Sequence, residues 1–533
     1  LSAVGAIGEE EVKYARDALG RVTSITDPSG NVSVVIYDSR GNIISRRNAL
    51  NHTRTSEFDH RNRLVSEKDV RGGISRYEYD GNDNVIRIVN PLGEAMTFEY
   101  DAEDRLTGVI DAAGTKSTTV YDAVGRVVEL RNLLGTSASY SYDEVGNRTE
   151  EFGANGERLA LITYNEVNLP TRIEDPLGRV ELFTYDLMGT RTSATDLRGK
   201  TTTFERDKMG RVVKVTDPLG RQSRHVFSSD DVLEKIVYAG GQETSFTYTE
   251  TNQVKSITTP GSFTTQFEYN DDGKIVAFTP PDPSKRLEYT YDADGRRILR
   301  RTLSPLVPET HYEYDEAGNV TTISTKAGGA PLVRQISRSF DSLNREVSAI
   351  DADGKQIRRV YNSAGLVSQL IYPDSKTVSY TYDAGKRMSS VTDWANRVTQ
   401  YRYNSSNDIT EIQFPNGTSR VMTYDTNRRL LKRTDYGSDG SVIVSYDYAY
   451  DATGFVSSRI QAVDPVVFAP TASNFSYDGS NRLTVAKGVA INHDLDGNMT
   501  RGVVAGQPEN ISWDYYQNLS NAGSLTCSYN AED

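Results

Sequence analysis

Carboxylates are the side chains here with the most chemistry within reach: 73 of 533 positions are Asp or Glu. Three stretches place two Asp around one residue and ahead of a Gly: Asp292-Ala293-Asp294-Gly295, Asp351-Ala352-Asp353-Gly354 and Asp494-Leu495-Asp496-Gly497. That spacing opens a calcium loop, in which oxygens at alternate positions converge on the ion. A full EF-hand loop also needs a third oxygen ligand before its Gly and a Glu at position twelve. Position twelve counted from Asp292 is Leu303. The motif therefore reads as a turn. The histidines, His52, His60, His225, His311 and His493, are scattered with no metal-ligand spacing. Ser and Asp are abundant, but a catalytic triad is recognised by geometry and not by chain order. No G-x-S-x-G elbow or Walker A loop marks a nucleophile or a phosphate site. A glycosidase needs two carboxyls roughly 5–9.5 Å apart, and nothing singles out such a pair. The lone cysteine, Cys527, forbids an intrachain disulfide and any multi-cysteine metal site. No catalytic, cofactor-binding or metal-ligating residue is assigned, and the chain is not expected to be an enzyme.

What positions these carboxylates is a period. An aromatic residue, then Asp or Asn, two or three variable residues often ending in Gly, then Arg or Asn recurs along the chain. Asp17, Asp38, Asp59, Asp80, Asp101, Asp122 and Asp143 follow at steps of 21 residues. Asn165, Asp186 and Asp207 continue the register, and Ser228, Thr249 and Asn270 carry it through degenerate copies. Longer steps lead to Asp292, Asp315 and Asp341. Asn362, Asp383, Asn404 and Asp425 return to the original step, and Asp451, Asp478, Asp494 and Asp514 follow irregularly. A register this long signals a repeat architecture whose units pack mainly on their neighbours.

Within one unit two turn signals alternate, such as Asp17-Ala18-Leu19-Gly20 and Asp27-Pro28-Ser29-Gly30. Asp accepts bonds from turn amides, Pro pre-sets φ, and Gly tolerates positive φ. Between them lie strand-length runs rich in Val, Ile, Thr and Tyr, Arg21–Thr26 and Val32–Tyr37. One repeat is one hairpin. Gly or Pro about every ten residues excludes helix over most of the chain. Aromatics come in pairs two residues apart, including Tyr77/Tyr79, Phe98/Tyr100, Tyr140/Tyr142 and Tyr401/Tyr403. Residues at i and i+2 share a face, so rings of successive hairpins are expected to align into ladders. Such ladders could stack on sugars, but the repeat itself dictates the Tyr positions, which favours packing. The expected fold is all-β: tandem antiparallel hairpins in one continuous sheet that coils into a superhelical or barrel-like shell segment, because long open sheets twist and curl.

Three places lengthen the step: Phe278–Pro283, Ser304–Pro308 and Asp464–Pro470. Their prolines suit lengthened hairpin loops, since Pro cannot donate in a central ladder. Residues 1–533 read as a single repeat array. Leu1-Ser2-Ala3-Val4-Gly5 lacks the basic stretch of a signal peptide and Tyr529–Asp533 starts another copy, so the array reads as incomplete at both ends. A formal net charge of -13 argues against a surface built for nucleic acid. No run of 18 apolar residues suggests a membrane span.

Tyr121-Asp122-Ala123-Val124-Gly125-Arg126 resembles the YD repeat of Rhs proteins, and so do the follow-on turns Asp175-Pro176-Leu177-Gly178 and Asp217-Pro218-Leu219-Gly220. The same repeat occurs in the C components of insecticidal Tc toxins, in wall-associated proteins and in teneurins. His493–Thr500, followed by Trp513-Asp514, looks like the late part of an Rhs core. The resemblance implies a non-catalytic β-shell that encloses or presents a C-terminal toxin or effector domain not present in this chain, delivered by a secretion machinery and secreted or held at the bacterial cell surface. In that family a junction containing Asp-Pro-x-Gly-Leu releases the cargo; the Asp-Pro-x-Gly copies here sit on hairpin turns, so no cleavage residue is carried over. The alternative is a cell-surface or wall-associated adhesin that binds carbohydrate or neighbouring cells.

Overall fold

The computed structural model describes residues 12–303, 307–326, 332–451, 454–463, 471–478, 482–486, 489–493, 499–504, 507–513, 519–522 and 525–526. Several sequence features lie outside these residues: Leu1–Gly5, Ser304-Pro305-Leu306, Asp464–Pro470, Asp494–Asn498, Asp514, Cys527 and Tyr529–Asp533.

The described residues form strands in strict succession, most of them of five or six residues, such as Val22–Thr26, Val32–Tyr37, Ile43–Arg47 and Thr53–Phe58. Each pairs antiparallel with the next: Ser24 faces Val34, Val35 faces Arg46, and Ser45 faces Thr55. Forty-five strands belong to one sheet, and the last five, from Asn492–His493 onward, belong to a second. Among the described residues there is no α-helix; one short 3-10 turn, Pro283–Lys285, sits in the lengthened loop of residues 280–286, while Phe278 and Thr279, expected in that loop, end the strand Ile275–Thr279.

Two turns alternate along this ribbon. The aromatic turns, at Asp17, Asp38, Asp59 and their successors, lie along one edge. The opposite turns, at Asp27, Asn48, Asp69 and their successors, lie along the other. Both close identically: the amide of Asp17 donates to the carbonyl of Arg21 and the amide of Gly20 to the carbonyl of Asp17, each at 3.0 Å, and Asp27 repeats this with Asn31 and Gly30. The fourth residue of each is left-handed. Gly125 has φ 88°, and where Gly is missing Asn or Asp most often takes the position, as at Asn62 with φ 63° and Asp104 with φ 59°, with Ser375, Lys386 and Arg428 among the exceptions.

The two edges are not equivalent. At the aromatic turns the register slips, for instance between Ile36 and Tyr37, between Val120 and Tyr121, and between Arg402 and Tyr403. At most opposite turns the pairing runs without a slip, as in Thr26 with Val32 and Thr195 with Thr201; slips there include those between Leu130 and Arg131 and between Asp435 and Tyr436. A bulge bends and over-twists its strand. One bulge per hairpin on one edge gives the ribbon a repeated bend, and a repeated bend makes a coil.

The chain divides into two compact units. One comprises Leu1–Ser117, Thr247–Ile257 and Thr264–Tyr380, the other Thr118–Phe246, Thr258–Phe263 and Thr381–Asp533. In the first unit, opposite turns of the early run meet aromatic turns of the later run: Ser29 N donates to Asp272 Oδ1 at 3.2 Å and Asn48 Nδ2 to Asp294 Oδ2 at 2.5 Å. In the second unit, Ser406 Oγ donates to Glu157 Oε1 at 3.1 Å and Asn427 Nδ2 to Asp175 Oδ2 at 2.8 Å. Within each unit, then, the coiled ribbon seats one edge on the other.

The sheet is a single layer. Among the described residues few apolar side chains are buried: Ala277, Pro280, Leu287, Val378 and Ile491. Along Ile74–Tyr79 the half-buried Ser75, Tyr77 and Tyr79 alternate with the exposed Arg76 and Glu78. In that strand one face carries rings and the other charge, whereas Val32–Tyr37 turns Val32 and Ile36 outward; with so few buried side chains, stability comes from neighbours within the layer.

Replacing Gly125 by Val forces a β-branched residue into the left-handed region and is expected to cost about 1–2 kcal/mol, whereas Gly125→Asn should cost a few tenths. Guanidinium denaturation of both variants checks this, and equal losses would contradict the turn geometry.

Candidate functional site

The arrangement that recurs is a relay built on Asp, Arg and Tyr. Asp122 Oδ1 accepts the amides of Val124 at 3.0 Å and Arg126 at 2.9 Å, which holds the turn shut. Its Oδ2 accepts Nε of Arg126 at 2.7 Å. Arg126 Nη1 then donates to the carbonyl of Asp143, in the next repeat, at 2.9 Å. The guanidinium carbon lies 4.8 Å from the ring centre of Tyr142. The Tyr142 hydroxyl reaches back to the carbonyl of Val127 at 2.7 Å. Asp143 begins the next copy.

The same set recurs at Asp17, Arg21 and Tyr37, at Asp59, Arg63 and Tyr79, and at Asp383, Arg387 and Tyr403. Their guanidinium carbons sit 4.5, 4.7 and 4.7 Å from the ring centres. A cation over an aromatic face contributes roughly 0.5–2 kcal/mol, and the fork of Arg adds directed hydrogen bonds.

This corrects the expected ring ladder. Equivalent rings of successive hairpins are two strands apart, about 9.5 Å, beyond the 4.5–7 Å range of ring-on-ring contact. A planar guanidinium fills that interval. Rings meet directly where adjacent strands both supply one, as with Phe267 and Phe278, paired across strands with centres 5.6 Å apart. The four-residue spacing from Asp to Arg was present in the sequence, but it carries no contact until the turn is closed.

The other candidate residues are not brought together. Asp292 spends Oδ1 on the amides of Asp294 and Arg296 and Oδ2 on the Arg296 guanidinium. Asp351 likewise accepts the amides of Asp353 and Lys355. These are turn carboxylates, and among the described residues no cluster of three His, Cys, Asp or Glu could hold a metal. His225 Nδ1 lies 3.1 Å from the carbonyl of Val212, and His311 Nε2 lies 3.5 Å from Glu309. A cavity of about 1000 Å³ is lined by Pro28, Lys255, Phe267, Glu268 and Tyr269 among others. Both oxygens of Glu268 are engaged by Arg286, at 2.7 and 2.9 Å.

The repeat is what the comparisons pick out. A family model described as Teneurin YD-shell matches residues 139–268, 264–380 and 333–458, more than half of the chain. The chain belongs to the teneurin YD-shell family. A model described as RHS Repeat matches residues 79–116 of the same YD ribbon. Curated protein sequences gave no match. Among solved structures, TcdB2-TccC3 without its hypervariable C-terminal region matches at 13% identity and a TM-score of 0.52, covering 96% of this chain and 34% of that one. TcdB2-TccC3-TEV matches at 11% identity and a TM-score of 0.47, covering 98% and 39%. The YD ribbon therefore spans little more than a third of these structures, and at such identity the likeness with TcdB2-TccC3 is one of fold. Within the family the chain is a structural scaffold of the YD-shell kind. Among the described residues no helix is long and apolar enough to cross a membrane.

The relay predicts a pH response. At Asp38 the Asn42 side chain, helped by the amides of Asn42 and Arg40, holds the carboxyl below its usual range. At Asp59 partial withdrawal from water pushes upward, and the Arg63 amide, the Arg63 guanidinium and the Arg61 amide outweigh it, bringing the carboxyl to about 2. A carboxylate depressed on folding stabilises the fold above its ordinary pKa and loses that contribution as pH falls towards the folded value. The sheet signal in circular dichroism should hold at pH 5 and fade between about pH 4 and pH 2. A full signal at pH 2 would contradict it. Tyr142→Phe should lower stability by about 1 kcal/mol, read in chemical denaturation. Millimolar calcium should leave the melting temperature unchanged, and a rise would reopen the Asp292 motif as a metal site.

Proposed function

We propose that the chain is a non-catalytic wall of an Rhs-type toxin or related secreted protein, enclosing or presenting a C-terminal effector domain that lies outside it. The observation that carries this is the single layer: a coiled YD ribbon stabilised within its own plane and not by a core. Such a layer can separate two compartments without a second sheet to back it. The carboxylates, which are the obvious reactive groups, are consumed in closing turns and orienting arginines. That leaves them a structural task and supports a scaffold without catalysis. The partners on this reading are the effector domain itself and a secretion machinery, with a location outside the cytoplasm or at the bacterial surface.

The experiment is to express the chain with whatever follows Asp533 in its reading frame and to digest it with protease. A short downstream domain that is protected while the ribbon is intact, and is degraded once acid unfolds the ribbon, is the expected result. A reading frame that ends without such a domain, or a domain cut as fast as the free one, overturns enclosure. Specific retention of the purified chain on a glycan array would instead favour the adhesin.

A further inference from the structure

Where the residue four after the turn Asp is Arg, the repeat supplies the relay's arginine itself, as at Arg63, Arg126 and Arg387. Among the described residues, two repeats of the later run keep the turn Asp without that Arg, since Asn319 follows Asp315 and Phe455 follows Asp451; the repeats at Asn270, Asn362 and Asn404 lack both. At the Asp315 and Asp451 repeats an arginine arrives from an opposite turn of the early run.

In the second unit this is Arg198. Its Nη2 pairs with Asp451 Oδ2 and its Nη1 donates to the carbonyl of Asp478 at 2.9 Å. Its guanidinium carbon lies 5.5 Å from the ring centre of Tyr477 and 5.8 Å from that of Phe455. These are the three contacts that Arg126 makes to Asp122, Asp143 and Tyr142 from within its own repeat. Phe455 stacks on Tyr477 with ring centres 4.8 Å apart and leaves the polar positions open to Arg198.

In the first unit it is Arg71. Its Nη2 donates to the carbonyl of Asp341 and to Asn344 Oδ1, both at 2.7 Å, and its Nη1 lies 3.5 Å from Asp315 Oδ2. Arg387 makes the corresponding set to Asn404, Asn407 and Asp383. Asn319 bonds Asp315 and Asn344, and the carbonyl of Asp341 is taken by Arg71.

We infer that Arg71 and Arg198 are arginines supplied in trans, and that they set the register in which one run of the ribbon seats on the other. Three features of the sequence fit this. Among the opposite turns between Asp27 and Gly220, Arg stands third in only two, and those are Arg71 and Arg198. Each meets a repeat that lacks its own Arg. Each of those repeats is flanked by repeats that have one: Arg296 and Arg345 on either side of Asn319, Arg429 and Arg482 on either side of Phe455. A slip of one repeat would therefore press guanidinium against guanidinium, and repulsion excludes the wrong register as effectively as pairing selects the right one.

The test uses the full chain and amide exchange read by mass spectrometry. Arg198→Ala, with circular dichroism unchanged, should speed exchange by about tenfold at two places, the Asp196–Lys200 turn and Asp478. Adding Phe455→Arg returns an arginine to the later repeat alone. The double variant should recover protection at Asp478 and not at Asp196–Lys200. Recovery at both turns would mean that Arg198 does not tie the runs, and recovery at neither would mean that the two arginine positions are not equivalent; each overturns the inference, as does an Arg198→Ala chain with wild-type exchange. Arg71→Ala and Arg71→Ala with Asn319→Arg repeat the test in the first unit, reading the Asp69–Gly73 turn and Asp341, should Arg198→Ala fail to fold.

Discussion

The structure depends on one carboxylate used twice. In each full relay, one oxygen of the turn Asp collects two backbone amides and the other orients an arginine. The first use closes the hairpin and places a left-handed residue where the chain must reverse. The second extends a rigid cation across to the next hairpin, where it meets a carbonyl and a ring. A turn and a link between neighbours are thus made by the same side chain. A single-layer sheet needs that economy, because it has no second layer to supply hydrophobic burial.

The charge follows from the same device. Each repeat that closes its turn with Asp and its link with Arg is nearly neutral locally. Turns that keep Asp but carry Asn or Thr in place of Arg, as at Asp143 with Asn147 and Asp186 with Thr190, each add one unpaired acid to the net charge of -13. The exposed apolar turn residues Val124, Val145, Met188 and Met209 are the counterpart: they occupy the turn position that points away from the relay.

Coiling is a second-order consequence. The bulge at each aromatic turn bends every hairpin in the same sense, and the bends add because the repeat is regular. Once the ribbon returns on itself, the edges meet through polar pairs such as Asn427 with Asp175. Such pairs alone would tolerate slippage. Arginines present only where a relay lacks its own add discrimination that a uniform repeat does not possess.

The hairpin period, the turn chemistry and the all-β class were legible in the sequence, because each depends on residues within about five positions of one another, as Asp17 with Gly20 and Arg21. The ring contacts were not: local alternation shows that Tyr140 and Tyr142 share a face, but the interval between hairpins decides that a guanidinium, and not another ring, lies against them. Least legible was the tie between Arg198 and Asp451, 253 residues apart. Sequence determines which turns form and which repeats lack an arginine. Only the tertiary structure decides which distant turn supplies it, because that depends on curvature summed over every hairpin in between.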